Sequence, residues 1–111
     1  MVTAIDCGLV VNPEGVRNQV EGSTMMGLGA ALYEAIEISD GIVLNSGLSR
    51  YQVPRITDTP QIEVVLAGDP GDPSTGAGEP GLVTVAPAIA NGIFDATAQR
   101  IRELPLKRQL R

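Results

Sequence analysis

One carboxylate stands alone in a run of small residues, Gly76-Ala77-Gly78-Glu79-Pro80-Gly81. Glycines on both sides let a ligand or another stretch of backbone come close to Glu79. The proline after it predicts an extended Glu79 backbone and a side chain projected in one fixed direction. A carboxylate held that way suits a general base, because dry surroundings tune it toward proton transfer. The bland alternative is a loop acid bonded to backbone amides. A second candidate is Gln19, in Gln19-Val20-Glu21-Gly22, followed by Gly27-Leu28-Gly29. Its amide can donate and accept at once, which suits the edge of a heterocycle or an oxo group. The bland alternative there is a solvent-facing side chain.

Other chemistry is thinly represented. The chain has no histidine and one cysteine, Cys7. That removes the usual base, the usual zinc ligand and any internal disulfide. Cys7 has no histidine or basic neighbour in sequence and reads as buried and inert. No protein-ligated metal site is expected. Asp6 reads as a strand-end acid, and Asp69 and Asp72 as turn formers. Met25 and Met26 read as packing residues, and Glu21 as a surface charge or a partner for Arg17. The glycine spacing matches neither a dinucleotide-binding nor a phosphate-binding loop.

The elements that must carry these residues follow from the pattern. Val2 to Asp6 predicts a short strand, and Val10-Val11 continues it extended. Asn12-Pro13-Glu14 starts a helix, with Asn as cap, Pro at the first position and Glu in the first turn. Val16, Val20, Leu28, Leu32 and Ile36 form its apolar stripe, which predicts a helix to about Ile36. Gly15, Gly22, Gly27 and Gly29 within it each cost roughly 1 kcal/mol against Ala. Close packing is the favoured reason for them, ahead of close approach to a ligand. Short strands are predicted over Gly41–Asn45 and Arg50–Val53, and a stronger one over Gln61–Ala67. Gly68–Gly78 is a loop. A second helix, with Ile89, Ile93 and Phe94 inward, runs from Thr84–Pro87 to about Ala98. Glu103-Leu104-Pro105-Leu106 closes the ordered part. The order predicts an α+β fold of short strands with two helices.

At 111 residues the chain is at most one domain. Its 43% hydrophobic content can build a core, although aromatics make up only 3%. The net charge of −5 is uneven, because Arg100, Arg102, Lys107, Arg108 and Arg111 are five of the eight bases. This basic end is too small, and too poor in aromatics, for nucleic-acid binding. It reads as a solvated tail or a salt-bridging edge. No stretch is apolar enough to span a membrane. The opening Met1-Val2, directly before strand-like residues, looks like the edge of something larger.

Taken in order, Ala4-Ile5-Asp6-Cys7-Gly8, Val11-Asn12-Pro13, Gln19-Val20-Glu21-Gly22, Gly27-Leu28-Gly29 and Gly76-Ala77-Gly78-Glu79-Pro80 resemble one family. It is the C-terminal part of the molybdenum-binding large subunit of the xanthine dehydrogenase/aldehyde oxidase family. Gly81, where the larger branch has a second proline, together with Ala86-Pro87-Ala88-Ile89-Ala90-Asn91 and Arg102-Glu103-Leu104-Pro105-Leu106, looks most like the isoquinoline 1-oxidoreductase β-subunit branch. The resemblance spans about residues 2 to 106. It implies that 1–106 is a C-terminal molybdopterin-binding subdomain, part of a larger domain, and that 107–111 is a basic tail.

The resemblance also implies roles. Glu79 would be the base beside molybdenum, Gln19 would contact the pterin, and Gly78 would lie near the metal. The cofactor would be molybdopterin, in bacterial members often its cytosine dinucleotide, and would be absent from the isolated chain. Water would supply the oxygen put onto an aldehyde or an N-heterocycle. Electrons would leave through an iron–sulfur subunit or domain. The rest of the large subunit would be the other partner, and the isolated chain would be inactive. Exposed surface would favour self-association through the glycine-rich helix or an unpaired strand edge. Two further readings stand beside this one. The chain could be a non-catalytic binding or assembly module acting with a separately encoded partner, or a structural domain with no cofactor role. Cytoplasm and periplasm are both compatible with the residues.

Overall fold

The computed structural model describes residues 1–110; Arg111, one of the tail bases, lies outside the described residues. The first strand, β1 (Val2–Ile5), leads through a loop into the long helix α1 (Pro13–Leu32). The hairpin β2 (Ile38–Ser39) and β3 (Ile42–Val43) follows, then an irregular stretch, and then β4 (Glu63–Leu66). The chain ends with a single turn, α2 (Pro80–Val83), and the helix α3 (Val85–Thr97). A 3₁₀ turn over Leu106–Arg108 comes last. The architecture is α+β.

β1 and β4 pair in parallel, Val2 opposite Glu63 and Ile5 opposite Leu66. A parallel pair needs a long crossover, and α1, the hairpin and the irregular stretch together supply it. The Arg17 guanidinium spans the two layers, donating to the Val64 carbonyl at 2.6 Å and lying 3.6 Å from Glu14. Arg17 therefore pairs with Glu14 and the sheet, not with Glu21. The second sheet is only the hairpin, turned by Asp40 and Gly41, both at positive φ.

α1 begins where the sequence predicts. The Asn12 side chain accepts from the Gly15 amide at 2.9 Å, and Pro13 takes the first helical position. It stops four residues short of Ile36. The amides of Tyr33 and Glu34 both turn back to the Gly29 carbonyl and close the helix, so Ile36 lies outside it and is exposed. Val10-Val11 and Arg50–Val53 form no strand, because neither has a backbone partner in a sheet. Met26 is exposed, not packed.

Two apolar clusters flank α1. Ile5, Cys7, Val20 and Val64 form the first, with Val16 and Ala77 against it. Ala31, Ile101 and Leu106 form the second, covered by Ile89 and Ile93 of α3. Order thus continues past Leu106, which is itself 2% exposed. After it, Arg108 pairs with Glu37, and the Lys107 ammonium sits 4.5 Å from the centre of the Tyr33 ring. No described helix is long and apolar enough to cross a membrane.

Candidate functional site

The two strand ends and the start of α1 meet the glycine loop at one edge of the first cluster. The loop is laced to the Cys7–Leu9 segment, with the Leu9 amide donating to Asp72 at 3.0 Å and the Thr75 amide donating to Cys7 at 3.1 Å. Asp6 and Asp69 serve as turn acids, accepting from the Gly8 and Gly71 amides. Gly8 sits at φ +62, and a Cβ there would collide with the Pro73 carbonyl. Only glycine lets the two segments close this tightly.

Between loop and helix lies a cavity of about 420 Å³. Asn12, Gly15 and Gln19 of the helix start form one wall, and Gly76, Ala77 and Gly78 form the other. Cys7 and Val16, part of the first apolar cluster, form its floor. No carboxylate or cation lines it among the described residues. The wall includes the N-terminal end of a 20-residue helix, but Pro13 has no N–H and the Gly15 and Val16 amides are bonded to Asn12, which leaves the Glu14 amide and the helix dipole to favour an anion.

The three residues singled out in sequence come together here. Gln19 Nε2 donates to the Gly78 carbonyl at 2.5 Å, joining α1 to the loop across 59 residues. Gln19 is exposed at the cavity wall. Glu79 follows Gly78 directly, so it stands at the rim of the cavity and not in its lining. Its side chain is exposed and makes no capping bond. The predicted extended conformation of Glu79 is not found: φ is −119° and ψ −15°. Pro80 disfavours this conformation in the residue before it, but Pro80 also begins α2, and the Leu82 amide bonds back to the Glu79 carbonyl at 3.0 Å. Closing that turn against α1 outweighs the local preference.

α2 is held on α1 by missing side chains. A Cβ on Gly81 would collide with Ser23 Oγ, and one on Gly27 would come within 2.9 Å of the Leu82 carbonyl and 2.8 Å of Val85. Gln19, Ser23 and Gly27 are spaced by four, so they share one face of α1. That face receives Gly78, Gly81 and Leu82–Val85 in turn. Ser23 and Thr24 are buried there, both hydroxyls satisfied by the Val20 carbonyl at 3.0 and 2.8 Å. Sequence reasoning does not single out this pair; small hydroxyl residues between glycines on a buried helix face are the available signal.

The glycines divide into two kinds. Packing explains Gly27 and Gly29, and the Asn12 cap explains Gly15. Gly22 meets nothing within 4 Å, so packing does not account for it. Gly76 needs its φ of +87°. Gly78 has no positive φ, and a Cβ added to it would meet no protein atom within 4 Å. A side chain there would fill space at the cavity wall. The neutral lining and the open space beside Gly78 leave room for a pterin. On that fit, Gln19 and Gly78 are the groups that would hold it.

Comparison with known proteins agrees with the architecture. Residues 1–60 match the family described as molybdopterin cofactor-binding domain. The chain is 39% identical over 103 residues to a membrane-bound aldehyde dehydrogenase [pyrroloquinoline-quinone] of Gluconacetobacter polyoxogenes, covering 93% of this chain and 13% of that protein. It is 35% identical over 104 residues to the isoquinoline 1-oxidoreductase subunit beta of Brevundimonas diminuta, covering 94% of this chain and 13% of that one. The crystal structure of a Cu,Mo-CO dehydrogenase in its carbon monoxide reduced state superposes with a TM-score of 0.81 at 25% identity, over 92% of this chain and 14% of that chain. The chain thus spans about an eighth of the curated relatives it matches. By fold and by sequence, it belongs to the molybdopterin cofactor-binding domain family, among the molybdenum-binding subunits of the xanthine dehydrogenase/aldehyde oxidase group.

Proposed function

We propose that this chain is the base-bearing, pterin-facing C-terminal segment of a molybdenum hydroxylase that oxidises an aldehyde or an N-heterocycle with water as oxygen source. The observation that carries the reading is the junction of Gln19 with Gly78, which sets a lone carboxylate at the rim of a neutral, glycine-walled cavity. When bound, a molybdenum pterin supplies the oxygen-transfer and two-electron chemistry. This chain's part is narrower. The start of α1 offers the Glu14 amide and its dipole to a phosphate, and Gly76 and Gly78 leave room for a flat ring. Glu79 accepts a proton at its carboxylate from a group presented across the rim.

The cofactor is molybdopterin, as the cytosine dinucleotide in a bacterial enzyme. The partners are the remainder of the large subunit, which completes the pocket, and an iron–sulfur subunit or domain that takes the electrons. Alone, the chain is inactive, because the substrate pocket is not in it. Glu79→Gln in the assembled enzyme tests the reading. Turnover falls on the order of 10²- to 10⁴-fold, with molybdenum and pterin content unchanged. Normal turnover overturns the assignment. It would favour instead a non-catalytic assembly module, a reading that draws on the exposure of Glu79.

A further inference from the structure

We infer that Gln19 acts as a positioning residue for Glu79, through the Gly78 carbonyl, beyond any contact it makes with a pterin. The inference rests on the reading of Glu79 as the base. Its grounds are geometric. The Gln19 Nε2 donor is engaged with Gly78 at 2.5 Å, one residue before Glu79. Beside it only Ala77, packed on the first apolar cluster, steadies the loop wall among the described residues, for a Cβ at Gly76 or Gly78 would touch no protein atom within 4 Å. After Glu79 the chain is clamped at once, by Gly81 against Ser23 and by Gly27 against Leu82 and Val85. The Glu79 backbone is therefore held by the Gln19 hydrogen bond and the seat of Ala77 on its N-terminal side, and by a steric clamp on its C-terminal side. The clamp is made of packed atoms and is stiff. The hydrogen bond is the adjustable member, so it sets where the carboxylate points.

The same geometry divides the labour within one side chain. Gln19 Nε2 is committed to the loop, whereas Oε1 accepts no hydrogen bond among the described residues. A ligand that hydrogen-bonds to Oε1 strengthens the Nε2 donor by polarising the amide. Filling the cavity would thereby tighten the base into place.

Two variants in the assembled enzyme separate the roles. Gln19→Glu keeps the shape but replaces the donor with a second acceptor facing the Gly78 carbonyl. Gln19→Lys changes the shape but keeps a donor. Hydrogen exchange is read first, in protein prepared without cofactor. Gln19→Glu is expected to speed exchange in the 78–83 segment, the Leu82 amide included, about fivefold, with β1 and β4 unchanged. Gln19→Lys stays near the parent. In the loaded enzyme, Gln19→Glu lowers kcat on the order of tenfold, because a small displacement of a reacting group is costly. The loss is read per bound pterin, because Gln19 also borders the cofactor's cavity; KM stays as it was, and Gln19→Lys recovers most of that loss. Unchanged exchange in Gln19→Glu overturns the tether. Pterin loss in step with the rate, in both variants, overturns positioning in favour of a cofactor contact alone. Normal turnover of Glu79→Gln sinks the base assignment, and the positioning role with it, while the exchange result still reports the tether separately.

Discussion

The two ends of α1 are built on opposite plans. At its N-terminal end the helix meets the glycine loop and α2 through absent side chains and one amide, over a small apolar floor of Cys7 and Val16, around a cavity with no charged side chain in its lining. At its C-terminal end it is bound by bulk. Leu106 and Ile101 press on Ala31, and a ring of polar pairs surrounds them: Arg108 with Glu37, Tyr51 with Glu34 at 2.9 Å, Tyr33 with Asp58 at 3.2 Å, and Lys107 over Tyr33. Exposed pairs of this kind add little each, so the apolar contacts hold that end. One helix thus serves as anchor and as platform. The anchor tolerates polar clutter; the platform is kept bare, so that something outside the chain can be received.

The sharpest way to break the comparison is to remove bulk from the anchor. Leu106→Ala is expected to cost about 2–5 kcal/mol of unfolding free energy, the range for emptying a packed core site. Chemical denaturation measures it; a cost below about 1 kcal/mol would mean that the second cluster is not an anchor. Adding bulk to the platform tests the other half, and here two glycines three residues apart should part company. Gly81→Ala drives a methyl into Ser23 and is expected to cost about 1–3 kcal/mol. Gly78→Ala meets open space and should stay within about 0.5 kcal/mol of the parent. In the assembled enzyme Gly78→Ala should nonetheless lower pterin content, because its methyl stands at the cavity wall. Equal costs for the two substitutions would erase the distinction between packed and open glycines.

What the sequence revealed of this follows from the range of each signal. Asn12-Pro13 and the Ser39–Gly41 turn are local chemistry, and both formed where expected. The β-branched run around Val64-Val65 made a strand, shorter than its pattern. The end of α1 escapes the pattern because the stripe to Ile36 is a periodicity, whereas the stop is a pair of backbone bonds to Gly29 that no side-chain pattern records. The Glu79 backbone departs from expectation because the rule for a residue before proline is local, and it yields to the seating of α2 on α1. The Gln19–Gly78 contact spans 59 positions. Each partner stands out by itself, one for its amide and one for its place beside a lone acid, but nothing in a single sequence joins them. Leu106 reads as the end of order because it sits between a proline and basic residues; its burial depends on α3 folding back over Ala31.

The smallest expected effect lies at the anchor, in its response to acid. The Arg55 amide donates to the Asp58 carboxylate at 2.7 Å, and this bond is the main cause holding the carboxyl below its ordinary value of 3.8. Partial burial opposes it, while the Tyr33 hydroxyl and the charges of Lys107 and Arg55 add to it. The folded state therefore binds the Asp58 proton more weakly than the unfolded chain does. The resulting stabilisation is complete above the ordinary value, and it drains away as pH falls through 3.8 toward the depressed folded value. Asp58→Asn keeps an oxygen for the Arg55 amide but removes the charge. Its unfolding midpoint in urea should lie slightly below the parent's at neutral pH, and the two should converge as pH drops from about 5 to about 3. The site is open to water and its pairs are screened, so the gap is small. A gap that stays constant across that pH range would show that Asp58 holds the 3₁₀ turn over Ile56–Asp58 by shape alone, and that the polar ring at this end of α1 carries no charge-dependent share of the anchoring.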